Sequence, residues 1–199
     1  MFAIGHFALG YLAGKGASKF ANVKVNMPLL LVAAVLPDVD LILRFLMHRG
    51  PTHSLIILSV LMVPFFVLYR KRVLPYYAAV LSHVLIGDFF TGGVQLFWPL
   101  SNSLFGAVNL STVGLTSVVL ELFFFFLALP IMYKSGDLKS LLKPHNKNWV
   151  LIIPFTATLG PLLTVGRGLE ASLPLLLVVP SLFFLVLFAY ALLIEIRAK

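Results

Sequence analysis

His48-Arg49-Gly50-Pro51-Thr52-His53-Ser54 lies between two long apolar runs and gathers two imidazoles, a guanidinium and two hydroxyls. Polar groups this dense are costly near hydrocarbon, because each needs a partner there. Gly50-Pro51 forces a turn, so the stretch reads as a loop between two helices. Thr52 or Ser54 then caps the second helix. That places His53 in its first turn, with His48 and Arg49 across the turn. An ordinary polar loop accounts for the same residues when the stretch is read alone. The surrounding chain decides whether it is more.

The chain has 199 residues, of which 60% are hydrophobic and 11% charged, and its mean hydropathy is +1.03. Soluble domains are nearer half apolar and a quarter charged. The expectation is an all-α, polytopic integral membrane bundle forming a single domain over residues 1–199. The absence of Cys excludes disulfides and thiolate metal sites, so a metal must use His, carboxylate or water. The net charge of +8 would suit nucleic acid. The basic residues, however, fall in short clusters between apolar runs, as membrane topology demands, and no nucleic-acid partner is expected. Met1-Phe2-Ala3-Ile4-Gly5-His6 lacks a basic region and does not read as a cleaved signal peptide.

Seven apolar segments can be drawn, at about 2–20, 27–47, 53–69, 74–97, 114–133, 149–165 and 173–195, for an expected six or seven spans of about 20 residues each. The first, interrupted by Gly10, Gly14, Lys15 and Gly16, can be read as lying in the interface. Leu36-Pro37 breaks the second, because the residue before a proline is pushed out of the helical region. The last three read as spans despite Pro130, Pro154, Pro161 and Pro180.

Of the 15 basic residues, 12 occupy one set of alternate connections, and only Arg44, Arg49 and Arg167 occupy the other. Basic loops stay inside, so the C-terminus is expected in the cytoplasm and the His48–Ser54 loop on the other face. His6, His48, His53 and His83, with Asp38, Asp40, Asp88 and Glu121, then fall in one layer towards the non-cytoplasmic side. His145, Asp137, Glu170 and Glu195 lie outside it. Charges buried singly in lipid are expensive, so such a layer needs a shared partner, and a metal ion provides one.

Pro37 can start a new helix with Asp38 and Asp40 at its N-terminal end, where the dipole favours carboxylates and leaves them free to turn towards a cation. The plainer alternative pairs Asp40 with Arg44 and makes Asp38 a cap. Ser82-His83-Val84-Leu85-Ile86-Gly87-Asp88 carries a second His/Asp pair. Its spacing of five sets the two side chains roughly 140° apart on a regular helix. A π-bulge or a helix end at Gly87 would restore a shared face; otherwise Asp88 belongs to the loop leading to Thr91-Gly92-Gly93. His6 alone is more simply a packing residue. Glu121, a single acid in an apolar helix, can be a ligand, a general base or the partner of Arg49. Ser54 has no nucleophile elbow around it. Phe123-Phe124-Phe125-Phe126 reads as lipid-facing or packing bulk.

Taken in order, Gly5-His6, Leu36-Pro37-Asp38-Val39-Asp40, His48 to Ser54, Ser82-His83 with its following acid, and Leu96-Phe97-Trp98-Pro99 resemble the YdjM-type family of membrane-bound metal-dependent hydrolases. The resemblance covers about residues 1–100; residues 101–199 carry no recognised motif. Family members commonly place the acid four residues after the His, whereas Asp88 follows His83 by five.

The expected protein is therefore a membrane hydrolase with one or two divalent metals per chain, held by His6, Asp38, Asp40, His53, His83 and Asp88. Such ligands suit Zn, Mn or Fe better than Mg. The metal would activate water, Arg49 would grip an anionic oxygen, and His48 would act as acid or base; Glu121 is a third catalytic candidate. A site at the lipid boundary points to a membrane lipid or lipid-phosphate substrate. The rivals are a protein with a purely structural metal site, which has no need of Arg49, and a transporter, which needs polar residues in both leaflets.

Overall fold

The computed structural model describes residues 1–42, 45–108, 110–144, 147–166 and 172–198. Arg44, His145, Arg167 and Glu170 lie outside them, and with Arg44 goes the alternative pairing of Asp40. The described residues form eight α-helices: α1 (Ala3–Ala21), α2 (Met27–Val35), α3 (Leu55–Tyr69), α4 (Leu74–Ser82), α5 (Leu115–Lys134), α6 (Asp137–Leu141), α7 (Ile152–Leu162) and α8 (Val178–Arg197). The only strand-like pairing among them is an isolated bridge between Val94 and Phe105. The expected all-α class holds.

The Pro37 break is present. Asn26 caps α2 by accepting the Leu29 N–H at 3.1 Å, and the helix stops at Val35. Leu36–Leu41 continues as a 3₁₀ turn. The second expected pivot is also present: α4 runs into a π-helical turn over His83–Asp88, in which the Phe89 N–H reaches five residues back to the Val84 carbonyl at 3.1 Å. A π turn holds more residues than an α turn, so a spacing of five returns His83 and Asp88 to one face.

Helix α1, the segment interrupted by glycines, is a continuous helix. It runs through the middle of the bundle, packed against α2, α4 and α5, with Phe7, Ala8 and Tyr11 fully buried. Two of the glycines that made the segment look weak, Gly10 and Gly14, are close-approach points. A Cβ on Gly10 would stand 2.4 Å from the Ala34 Cβ, and one on Gly14 would stand 2.4 Å from Leu30 Cδ1. Apolar helices in lipid associate through such small-residue contacts, and hydropathy alone does not register them.

Two runs, Leu115–Lys134 and Leu175–Arg197, are long and apolar enough to cross a membrane. Helices α2 and α4 have nine residues each, about 14 Å of helix against a hydrocarbon core of about 30 Å. The proline and the π turn that position the polar residues also shorten these helices, so the expected count of six or seven spans is not met by helix length. Around the core the exterior is apolar. Phe65, Val67 and Leu68 of α3, Phe123 and Phe126 of α5, and Val179, Val186 and Ile196 of α8 are all exposed, far more than a water-facing surface carries. Within the Phe run only Phe125 is buried, against Phe183 and Phe184 of α8.

Candidate metal centre

Three polar segments converge at one end of α1: the 3₁₀ turn Leu36–Leu41, the loop His48–Ser54 and the π turn His83–Asp88. Asp38 Oδ1 lies 3.6 Å from His53 Nε2 and 3.4 Å from His83 Nε2. Asp88 Oδ2 lies 3.1 Å from His53 Nε2 and 3.4 Å from His83 Nε2. The two Nε2 atoms are 3.3 Å apart. Asp38, His53, His83 and Asp88 thus offer four ligand atoms around one point and can hold a metal ion.

The spacing suits that role. Metal bonds of about 2.0–2.1 Å to nitrogen and oxygen give tetrahedral edges of about 3.3 Å. The hydrogen bonding behind the rings suits it too. His83 Nδ1 stands 2.8 Å from the Ala34 carbonyl, which accepts only, so the proton sits on Nδ1 and the Nε2 lone pair is bare. His53 Nδ1 faces Thr52 Oγ1 at 3.0 Å and Asp40 Oδ2 at 3.4 Å, which leaves its Nε2 bare in the same way. Asp88 Oδ2 is buried and accepts no hydrogen bond among the described residues. Four lone-pair atoms facing one another without a donor are repulsive unless a cation stands between them.

A proton is the competing cation. His53 closes the short 3₁₀ turn Pro51–His53 in the connection between α2 and α3. Burial alone would lower its pKa, but Asp38, Asp40 and Asp88 outweigh that and raise the imidazole to about 10. In the same connection, burial would raise the Asp40 carboxyl, whereas hydrogen bonds from His48, His53 and Thr52 hold it well below the usual carboxylate range.

Asp40 and His6 stand outside the four-atom group. Asp40 Oδ2 addresses the far nitrogen of the His53 ring. It also accepts from the Thr52 hydroxyl at 2.9 Å and the Arg49 N–H at 3.1 Å, while Oδ1 meets His48 Nδ1 at 3.1 Å. Asp40, His48 and His53 form a second group with metal-binding geometry, although His53 Nε2 already belongs to the first. His6 stacks on His83, with ring centroids 3.6 Å apart. Its Nε2 is 3.7 Å from Asp88 Oδ1, and its Nδ1 has no partner among the described residues. Gly87 makes room for it: a Cβ there would stand 2.5 Å from His6 Cε1.

Of the three roles open to Glu121, pairing with Arg49 is not the one the structure shows. Glu121 is fully buried at the head of α1, where Oε1 accepts the Phe2 N–H at 2.9 Å, and no ion pair joins it to Arg49 among the described residues. Arg49 instead pairs with Asp88 Oδ1 at 3.2 Å through Nη2, and donates to the carbonyl and the hydroxyl of Thr91. Asp88 can do this because its two oxygens point opposite ways, Oδ2 to the imidazoles and Oδ1 to Arg49. Arg49 adopts a left-handed backbone, φ 62°, an uncommon conformation for a non-glycine residue and one that often marks a functional site. Ser54 is the α3 cap, accepting from the Ile56 and Ile57 N–H groups at 3.2 and 3.4 Å. Its hydroxyl donates to the Trp98 carbonyl at 2.6 Å, which anchors the loop to the Leu96–Pro99 motif. Thr91 and Thr52 hold the charged residues in place, yet their types and spacing carry no ligand signal, so only the fold reveals them.

The profile of the YdjM inner membrane protein family matches residues 1–196. The chain belongs to this family. The match spans nearly all 199 residues, so the YdjM assignment takes in the motif-free helices as well as the first hundred residues. It makes the chain a membrane protein and leaves its chemistry to be argued from the site. No curated protein and no solved structure matches the chain.

Proposed function

We propose that this YdjM-family chain is a membrane-embedded, metal-dependent hydrolase of phosphoesters. The observation that carries the reading is the two-sided carboxylate of Asp88, which joins the four-atom group to Arg49. A guanidinium held one carboxylate away from a cation is placed to bind an anion that also reaches the metal. The buried Nε–H of Arg49 has no acceptor among the described residues and is a free donor for that anion.

Asp38, His53, His83 and Asp88 would hold one divalent ion, and two imidazoles with two carboxylates favour Zn, Mn or Fe over Mg. Such an ion supplies Lewis acidity and lowers the pKa of a bound water towards neutrality. Asp40, backed by Thr52, orients His53 and raises its basicity as an outer partner. His48 is exposed, and its Nδ1 is engaged by Asp40, so its Nε2 faces outward as the proton carrier. In the overall reaction a P–O bond to water forms, the P–O ester bond breaks, and the alcohol leaves with a proton that His48 can relay. A second metal at Asp40 and His48 would compete with this orienting role. Glu121 has no step here and serves to fix the head of α1.

In this reading the bundle is multi-pass, with the site towards the non-cytoplasmic face and the C-terminus in the cytoplasm; the distribution of basic residues supports that orientation. Since the chain has no Cys, a Cys introduced at Gly50 should react with an impermeant thiol reagent from the outside; reaction only from the cytoplasm reverses the topology. The decisive variant for the chemistry is Arg49→Lys, which keeps the charge and loses the planar two-pronged contact. Metal content and melting temperature should hold, while turnover of bis-p-nitrophenyl phosphate falls on the order of a hundredfold, as for loss of one transition-state donor. Lower stability with unchanged turnover would instead make Arg49 the counter-charge of a structural metal site.

A further inference from the structure

A cavity of about 200 Å³ opens beside the metal centre, between the π turn and α5. Ile86, Phe90, Leu120 and Phe124 give it apolar walls, and Gly87 and Thr91 line it next to Asp88. Thr91 is the link. Its hydroxyl lies 3.2 Å from Arg49 Nη2 and 3.4 Å from Asp88 Oδ1, and donates to the Gly87 carbonyl at 3.1 Å. Met1 and Ser117 complete the lining, and the Met1 ammonium donates to Thr91 Oγ1 at 3.1 Å and pairs with Asp88 Oδ1 at 3.2 Å. Thr91 therefore joins the cavity's polar edge to the Arg49 guanidinium, which stands behind it rather than in the lining. Ile86, Phe90 and Leu120 are 42%, 38% and 38% exposed, so its walls reach the apolar exterior of the bundle. An apolar cavity of about 150 Å³ takes a benzene-sized guest, and this one has room for more.

We infer that this cavity is the subsite for one alkyl chain of a phosphate-headed amphiphile. The phosphate would lie against Arg49, and the chain between the π turn and α5. The inference rests on the proposed anion site at Arg49 and adds to it the part of the substrate that the metal chemistry does not touch. The π turn has two functions in this arrangement. It brings His83 and Asp88 to one face, and it presents Ile86 and Phe90 to the cavity. A water-soluble phosphoester would leave this lining empty. An amphiphile fills it, and each methylene buried strengthens binding about fourfold.

The test is photo-cross-linking in phosphatidylcholine nanodiscs with octyl phosphate carrying a diazirine on its terminal carbon, read by peptide mass spectrometry. The expected adducts fall on Ile86–Phe90 and Leu120–Phe124. Unlabelled octyl phosphate should compete at concentrations where inorganic phosphate and octanol do not, and Leu120→Trp, which fills the cavity, should abolish them. Leu120 is partly exposed, so that variant is expected to fold; Ile86→Trp is the second variant from the facing wall. Adducts spread over α3 and α8 in proportion to exposed surface, or the same pattern from a neutral diazirine octanol, would overturn the subsite. Cross-linking needs no turnover, which keeps the two readings separable. Localised adducts on a protein with no phosphoesterase activity overturn the hydrolase alone. Random adducts on a protein that passes the Arg49→Lys test overturn the subsite alone.

Discussion

Helix α1 has a polar cluster at each end, and the two are built on opposite principles. At the Lys15 end, Asp137 Oδ2 accepts from the Tyr11 hydroxyl at 2.8 Å, the Ser135 hydroxyl at 2.6 Å and the Lys15 ammonium. Donors meet an acceptor, and the set is closed. At the His6 end, two carboxylate oxygens meet two imidazole nitrogens, and while both rings are neutral, acceptor faces acceptor until a metal ion or a proton enters. The first cluster is complete as protein; the second is complete only with a cation. Burial of polar groups therefore does not by itself mark a binding site, but unmatched hydrogen-bonding capacity does.

Opening the second cluster should have the larger effect. Asp88→Asn or His83→Ala removes a ligand, and metal affinity should fall by well over the 10- to 100-fold that follows loss of an outer partner; equilibrium dialysis against the metal measures it. A variant that keeps its metal would place the ligands elsewhere. Asp40→Ala leaves the four ligand atoms in place and removes the support of His53, so affinity should fall by about 10- to 100-fold. A loss equal to that of Asp88→Asn would move Asp40 into the ligand set.

The proton competition sharpens the comparison. Without metal, His53 titrates at about 10, so at neutral pH it carries a proton that the metal must displace. Metal affinity should therefore rise with pH up to that value, by about tenfold per unit for each proton displaced. In the metal-free protein the sign of the stability effect is opposite. The raised pKa stabilises the fold fully below the ordinary His value of about 6.5, and this contribution is lost as pH rises through about 10. A flat metal affinity between pH 6 and 8 would mean that the proton is not the competitor. At the closed cluster, Lys15→Met should cost about 1 kcal/mol or less, as for a partly exposed ion pair, and leave metal content unchanged; thermal unfolding and elemental analysis check both.

The ligand types were legible in the sequence because each is polar in an apolar setting. The break at Pro37 and the π turn before Asp88 follow from local rules, one steric and one of spacing. What could not be read was which carboxylate oxygen faces which ring. The roles of Asp40, His6 and Glu121 depend on distances between segments that no local pattern encodes. Asp40 differs from Asp38 by two residues, yet it meets the opposite nitrogen of the same His53 ring. Glu121 was one candidate partner of Arg49; the fold gives that place to Asp88 and leaves Glu121 at the head of α1. Gly10 and Gly14 left α1 open for a related reason, since a glycine that weakens a helix and one that admits a neighbour look alike in one chain.

The central claim is that Asp38, His53, His83 and Asp88 form one cation site, and elemental analysis of detergent-purified, unchelated protein beside its Asp88→Asn and Asp137→Asn variants tests it most directly. The account predicts about one divalent metal per chain in the parent and in Asp137→Asn, near none in Asp88→Asn, and a lower melting temperature for the parent after chelation. A metal-free parent whose melting temperature does not move on chelation would contradict it.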